Sequence, residues 1–153
     1  AIVFMVDARR GAAQQTGLGS GEVSTVTSSP ADPQAPPVDA AIKSATAWVS
    51  ILDSGDCGQA WTEMHSVVRE KLSREAWNDL CTGLRRLETG ERGAVVSRKA
   101  GQIEYIAGLP LGLGDGISVR FQSKYAKGEY SGPKILLAKD KDGVWRMVRA
   151  DKE

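Results

Sequence analysis

The sequence predicts an α+β fold in which three N-terminal helices pack on a curved four-stranded antiparallel sheet. Two features of the pattern carry this. Apolar residues recur at a spacing of three and four between Asp39 and Gly90, and from there to the end of the chain the period drops to two. With 153 residues, 41% of them hydrophobic and 25% charged, the chain has the make-up of one domain that can bury a core, with no room for a second.

Ahead of the helices, Gly11 to Pro37 reads "GAAQQTGLGSGEVSTVTSSPADPQAPP". It is rich in small residues, serine, threonine and proline, and has no apolar periodicity to offset the entropy of ordering its backbone. Residues 1–37 are therefore expected to be a flexible linker or tether, and residues 38–153 the single α+β domain. The opening "AIVFMV" is shorter than the roughly 7–15 apolar residues of a signal-peptide core. It can be the trimmed end of an anchor or signal, with a membrane tether upstream of Ala1, or an apolar segment that docks on a partner. No stretch approaches the run of about 20 apolar residues that a membrane-spanning helix requires.

In the first helix Ile42, Ala45, Val49 and Leu52 share one side, with Asp39 as N-cap and Gly55 as the stop. Ala47 and Ile51 lie opposite, so this helix should be covered on more than one face. The second runs from its cap Asp56 to about Lys71, and a turn of about 100° per residue sets Cys57, Trp61, Met64, Val68 and Leu72 on one stripe. Ser73 caps the third, whose stripe is Trp77, Leu80, Leu84 and Leu87 with Gly90 at its end.

Val95 to Ile106 reads as a strand interrupted at Gly101 by a bulge or bend. "ISVRFQSKYA" alternates Ile117, Val119, Phe121 and Tyr125 against Ser118, Arg120, Gln122 and Lys124, the signature of a half-buried antiparallel strand. "PKILLAKDKDGVWRMV" is a hairpin turning at Asp142-Gly143. Trp48, Trp61, Trp77 and Trp145 should all contribute to the core.

The formal net charge of +1 gives no whole-molecule field, but Glu91 to Glu153 holds twelve of the 20 Lys and Arg against eight of the 19 acids. Arg98, Arg120, Lys124 and Arg146 are expected on the non-core face of the sheet. There they would form a basic binding surface for an acidic partner protein, or a face through which the domain homodimerises. Sheets that read nucleic acid interleave such charges with exposed aromatics. Here Phe121 and Tyr125 share the apolar face, so no nucleic acid is expected.

The stretches "SATAWVSILDSGDCGQAW" (Ser44 to Trp61), "LSREAWNDL" (Leu72 to Leu80), "GLPLGLGDGISVRFQSKYA" (Gly108 to Ala126) and "DGVWRMV" (Asp142 to Val148) together resemble the bacterial domain-of-unknown-function 4019 family, over about Val38 to Val148. The resemblance implies a small exported or membrane-tethered domain, periplasmic or otherwise outside the cytoplasm. It also implies a cone-shaped α+β fold of the cystatin-like and nuclear-transport-factor-like kind. It implies no activity and supplies no catalytic residues. Cys57 after the Gly-Asp pair and Ile117 depart from the family pattern.

The chemistry-bearing residues are few. Asp56 opposes thiolate formation at Cys57, which sits on an apolar stripe. If the second and third helices form a hairpin about Leu72, Cys57 lies level with Glu88, and Cys81 is about 10 Å away along the axis, beyond the roughly 7 Å limit for bridged Cα atoms. Two free thiols are expected on that geometry, a bridge requiring a different arrangement. His65, the single histidine, has no companions for a metal site or a Ser-His-Asp triad and reads as a half-buried helix residue. Glu104 lacks a partner to raise its pKa and reads as an exposed strand residue. "GLGDG" at Gly112 to Gly116 precedes a strand and lacks a following Lys-Ser/Thr, so it is a turn and not a phosphate loop. No metal or cofactor is expected. The sequence therefore points to a non-enzymatic binding or interaction module, the alternative being a small cone-fold enzyme acting on an apolar substrate.

Overall fold

The computed structural model describes residues 38–152. The tether expected over residues 1–37 lies outside them. Four helices come first, α1 (Val38–Asp53), α2 (Cys57–Thr62), α3 (Ser66–Lys71) and α4 (Arg74–Arg92), followed by β1 (Val95–Leu109), β2 (Gly114–Tyr125), β3 (Gly128–Lys139) and β4 (Trp145–Asp151). The strands form one antiparallel meander in the order β1-β2-β3-β4, with the helices on one face, so the α+β architecture is the expected one.

The sheet's two faces follow from its register. Ile103, Val119, Ile135 and Ala150 form one row across the four strands, and Tyr105, Ile117, Leu137 and Met147 a second. All but Tyr105 are buried, and this face carries the helices. Glu104, Ser118, Leu136 and Arg149 form a row of the opposite parity. The register slips between Ala100 and Ile103, the bulge expected at Gly101. A side chain there would meet the Arg120 carbonyl oxygen at 3.2 Å. At the β3–β4 turn Gly143 has φ 78°, and the Asp140 amide donates to the Val144 carbonyl at 2.9 Å.

The helical layer departs from expectation in three ways. First, the continuous second helix is two six-residue helices. Met64 leaves the helical path to make a parallel bridge with Met147, and the His65 amide donates to the Met147 carbonyl at 2.9 Å. This covers part of the outer edge of β4, which would otherwise present unpaired backbone groups. Helices this short have no independent stability, and three indoles clamp them. Trp48 Nε1 donates to the Ala60 carbonyl at 2.9 Å, Trp61 Nε1 to that of Leu72 at 2.7 Å, and Trp77 Nε1 to that of Cys57 at 2.6 Å.

Second, Cys57 and Cys81 are joined by a disulfide, with Cα atoms 6.1 Å apart, and no free cysteine remains among the described residues. The expectation of free thiols rested on a hairpin of two long helices. Because the second helix breaks after Thr62, α2 is a separate piece that lays its first residue against the middle of α4. Third, α4 runs through Gly90 and ends at Gly93, whose φ is 79°. The two extra residues carry Arg92 into the fold, where it is 6% exposed. Asp56 and Ser73 cap as expected, accepting from the amides of Gln59 and Ala76, while Asp39 lies inside the first turn of α1.

Candidate binding cleft

Of the 19 residues of α4 only Trp77, Cys81 and Arg92 are buried. The helix is fixed toward its start by the Trp77 indole and the disulfide. At its end the Arg92 guanidinium lies 4.0 Å over the Tyr130 ring and 5.5 Å over that of Tyr125. Between these anchors a cleft of about 170 Å³ opens between α4, α1 and the sheet. Trp48 and Leu52 of α1, Leu84 and Leu87 of α4, and Pro133, Ile135 and Ala150 of the sheet make its apolar lining. Glu88, Glu91, Arg98, Asp151 and Lys152 are its polar members.

Each of these charges has a neighbour. Arg98 grips Asp53 at the end of α1 with two hydrogen bonds of 2.7 and 2.8 Å and donates to Ser123 Oγ at 2.7 Å. Its guanidinium also lies 5.3 Å from the centre of the Tyr125 ring. Burial alone would lower the Arg98 pKa; the Asp53 contact outweighs it and holds the guanidinium above its ordinary range. Burial, with a hydrogen bond donated to Glu88, pushes the Tyr125 hydroxyl up, so it stays a donor. Glu91 meets Lys152 at 3.4 Å, and Asp151 meets Arg149 at 3.1 Å. Beyond Arg98 a smaller recess of about 40 Å³ continues past Asp53, Arg85 and Thr89. Such a site suits an uncharged apolar group. A cavity of about 150 Å³ lined by aliphatic side chains takes one benzene ring.

The four basic residues read from the sequence do not form one surface. Arg98 pairs with Ser123 and so lies on the helix side of the sheet, its side chain 9% exposed. Ser123 sits between Phe121 and Tyr125 on the apolar parity of β2, a signal that the far end of this face is polar. Arg120 and Lys124 lie on the outer face, Arg120 opposite Lys134 and Lys124 opposite Glu129. Arg146 is held at the β4 edge by Asp142 at 2.7 Å, Glu63 at 3.3 Å and Asp140 at 3.6 Å. Glu104 lies 4.0 Å from Lys134.

Near Arg146 the fold gathers His65, Ser66 and Asp140, a grouping that sequence spacing conceals because the acid lies 74 positions beyond Ser66. They are wired as a helix cap. Asp140 accepts from the Ser66 amide at 2.8 Å and from Ser66 Oγ at 2.7 Å. His65 Nδ1 accepts from the Val67 amide at 3.2 Å, leaving Nε2 to donate to the Lys139 carbonyl at 3.1 Å. Ser66 thus gives its proton to the acid and not to the imidazole, the reverse of a nucleophile's wiring. Burial would raise the Asp140 pKa; the Ser66 side-chain and backbone donors, the Lys141 amide and His65 bring it down to about 2. Among the described residues no three His, Cys, Asp or Glu side chains converge on a metal site.

Helices segregated to one face of an antiparallel meander, with an apolar cleft between the layers, place the molecule among small α+β domains. The chain belongs to a family of proteins of unknown function, DUF4019, whose model matches residues 44–149. No curated protein matches it. The disulfide fits an oxidising compartment, and no helix among the described residues is long and apolar enough to cross a membrane.

Proposed function

We propose that this domain is a non-enzymatic binding module of an exported or membrane-tethered bacterial protein, and that the cleft between α1, α4 and the sheet is where it holds its ligand or partner. The observation that carries this reading is the cleft's make-up, an apolar lining whose neighbouring charges are each engaged by another side chain. An acid or base poised for turnover has to lie within hydrogen-bond reach of the substrate proton it moves, and the cleft's carboxylates are turned to Tyr125, Lys152 and Arg149 instead. An apolar group, in contrast, gains by leaving water and asks nothing of those pairs. Arg120 and Lys124 on the outer face serve as an electrostatic guide for an acidic region of the partner.

Titration with 1-naphthylamine, an uncharged two-ring dye, tests the reading. Saturable fluorescence enhancement at one dye per chain is expected, lost in Leu84→Trp, which fills the space. Absence of saturable enhancement, or equal enhancement in the filled variant, would overturn it.

A further inference from the structure

We infer that Arg98 selects what the cleft holds: an uncharged carbonyl compound whose apolar body, about one ring in size, fills the cleft while its oxygen accepts a hydrogen bond from the Arg98 guanidinium. This rests on the binding-module reading and names the ligand class. A guanidinium carries five N–H donors. Arg98 gives two to the Asp53 carboxylate and one to Ser123 Oγ, and the Tyr125 hydroxyl can take a fourth. That hydroxyl donates its own proton to Glu88, and Ser123 Oγ donates to the Gly132 carbonyl at 2.6 Å, so both meet Arg98 as acceptors only. One N–H is left over. The side chain that bears it is 9% exposed, and a donor so far from bulk water is costly to leave without a partner.

The position of the guanidinium sets where the oxygen goes. Leu52, Leu84, Glu88 and Arg98 belong to the walls of both the cleft and the recess, and Asp53, Glu88 and Tyr125, which surround the guanidinium, line the recess with it. The guanidinium therefore stands where the two spaces join. A cleft of about 170 Å³ takes about one ring, and a recess of about 40 Å³ takes a water-sized group. A carbonyl on an apolar ring divides in the same way, with the ring in the cleft and the oxygen toward the recess, in the place of a water that would otherwise meet the N–H.

Charge decides that the oxygen is a neutral one. The recess holds two carboxylates, Asp53 and Glu88, and two guanidinium groups, Arg85 and Arg98. Arg98 is matched by Asp53, and Arg85 is turned to the Asp53 backbone carbonyl at 3.0 Å. A carboxylate ligand would add a third negative group beside Asp53 and Glu88 and would have to leave water to do so. A carbonyl asks only for the N–H that remains.

The test titrates the full chain, followed by two-dimensional NMR, with acetophenone, isopropylbenzene and benzoate. The three share nearly one outline and differ in carrying a carbonyl, no polar atom or a negative charge. An apolar cleft alone would hold isopropylbenzene most tightly, because water holds the ketone back. Acetophenone is expected instead to bind at one per chain, about tenfold or more tighter than either of the others. Arg98→Lys keeps a cation for Asp53 but has only three N–H donors, enough for the two Asp53 oxygens and Ser123 and none for a ligand, so the ketone's advantage should be lost in it. Isopropylbenzene bound as tightly as acetophenone by the wild type overturns the inference whatever the stability of the variant, as does a ketone preference that survives Arg98→Lys. Benzoate bound as tightly as the ketone also overturns it and would make the ligand an acid met by Arg85. Dye binding without preference for the ketone defeats this inference alone, whereas failure of the dye and of all three compounds to bind defeats the binding-module reading.

Discussion

The Trp77 indole donates to the carbonyl of Cys57 at 2.6 Å while the sulfur of Cys57 is bonded to Cys81, one turn further along the same helix. Two links of different chemistry thus fasten the first residue of α2 to α4, and the short helix has little else of its own to hold it. The bridge closes a loop with a sequence separation of 24, for which the chain-entropy estimate is about 3 kcal/mol. Replacing both cysteines with alanine should lower the thermal midpoint by roughly 10–20 °C. Counting thiols in the unreduced, denatured protein checks the premise: none should react.

Asp140 links acid stability to the α3 cap. Its folded pKa, about 2, lies below the ordinary value of about 3.9. Its contribution is therefore fully present above about pH 4 and is lost as pH falls through 2. Allowing for screening at the sheet edge, Asp140→Asn should cost about 1–2 kcal/mol at pH 7 and almost nothing at pH 2. Denaturant unfolding at the two pH values measures the difference, and an equal cost at both would show that the carboxylate's charge is not what fastens Ser66.

Gly83 and Gly90 should behave oppositely to Gly93. Alanine at either helical position meets open space and should stabilise the domain by about 0.5–1 kcal/mol. Alanine at Gly93, where φ is 79° and the new Cβ would stand 2.9 Å from that of Ala126, should destabilise it. Thermal melts of the three variants decide the matter.

On the outer face, Arg120→Glu combined with Lys124→Glu should leave the fold intact. The cost is about 0.2–1 kcal/mol because residue 124 would then oppose Glu129. The double variant should elute from a heparin column at lower salt than the wild type. Unchanged elution would show that this face is merely solvated.

Much of the fold was legible because its signals are local. Ile117, Val119 and Phe121 alternate as a half-buried strand must, Asp142-Gly143 supplies a hairpin turn, and Gly101 marks the bulge. The break at Met64 was not legible: Thr62, Glu63 and Met64 contain no glycine or proline, and the helix ends because the edge of β4 offers Met64 and His65 better backbone partners. That one tertiary choice also concealed the disulfide. In α4 the apolar spacing points Leu80, Leu84 and Leu87 at the core, yet the face that enters the fold is Trp77, Cys81 and Arg92, the last brought in by two tyrosine rings that no helical pattern announces. The cleft was out of reach for the same reason, since it is the space left beside a helix fixed near its two ends.

Two-dimensional amide NMR of the full chain titrated with indole tests the central claim most directly. If the domain binds through this cleft, saturable shifts will be confined to its lining, at Trp48, Leu52, Leu84, Leu87, Ile135 and Ala150, and will disappear in Leu84→Trp. Shifts that never saturate, or that cluster around Arg120 and Lys124 on the outer face, would contradict it.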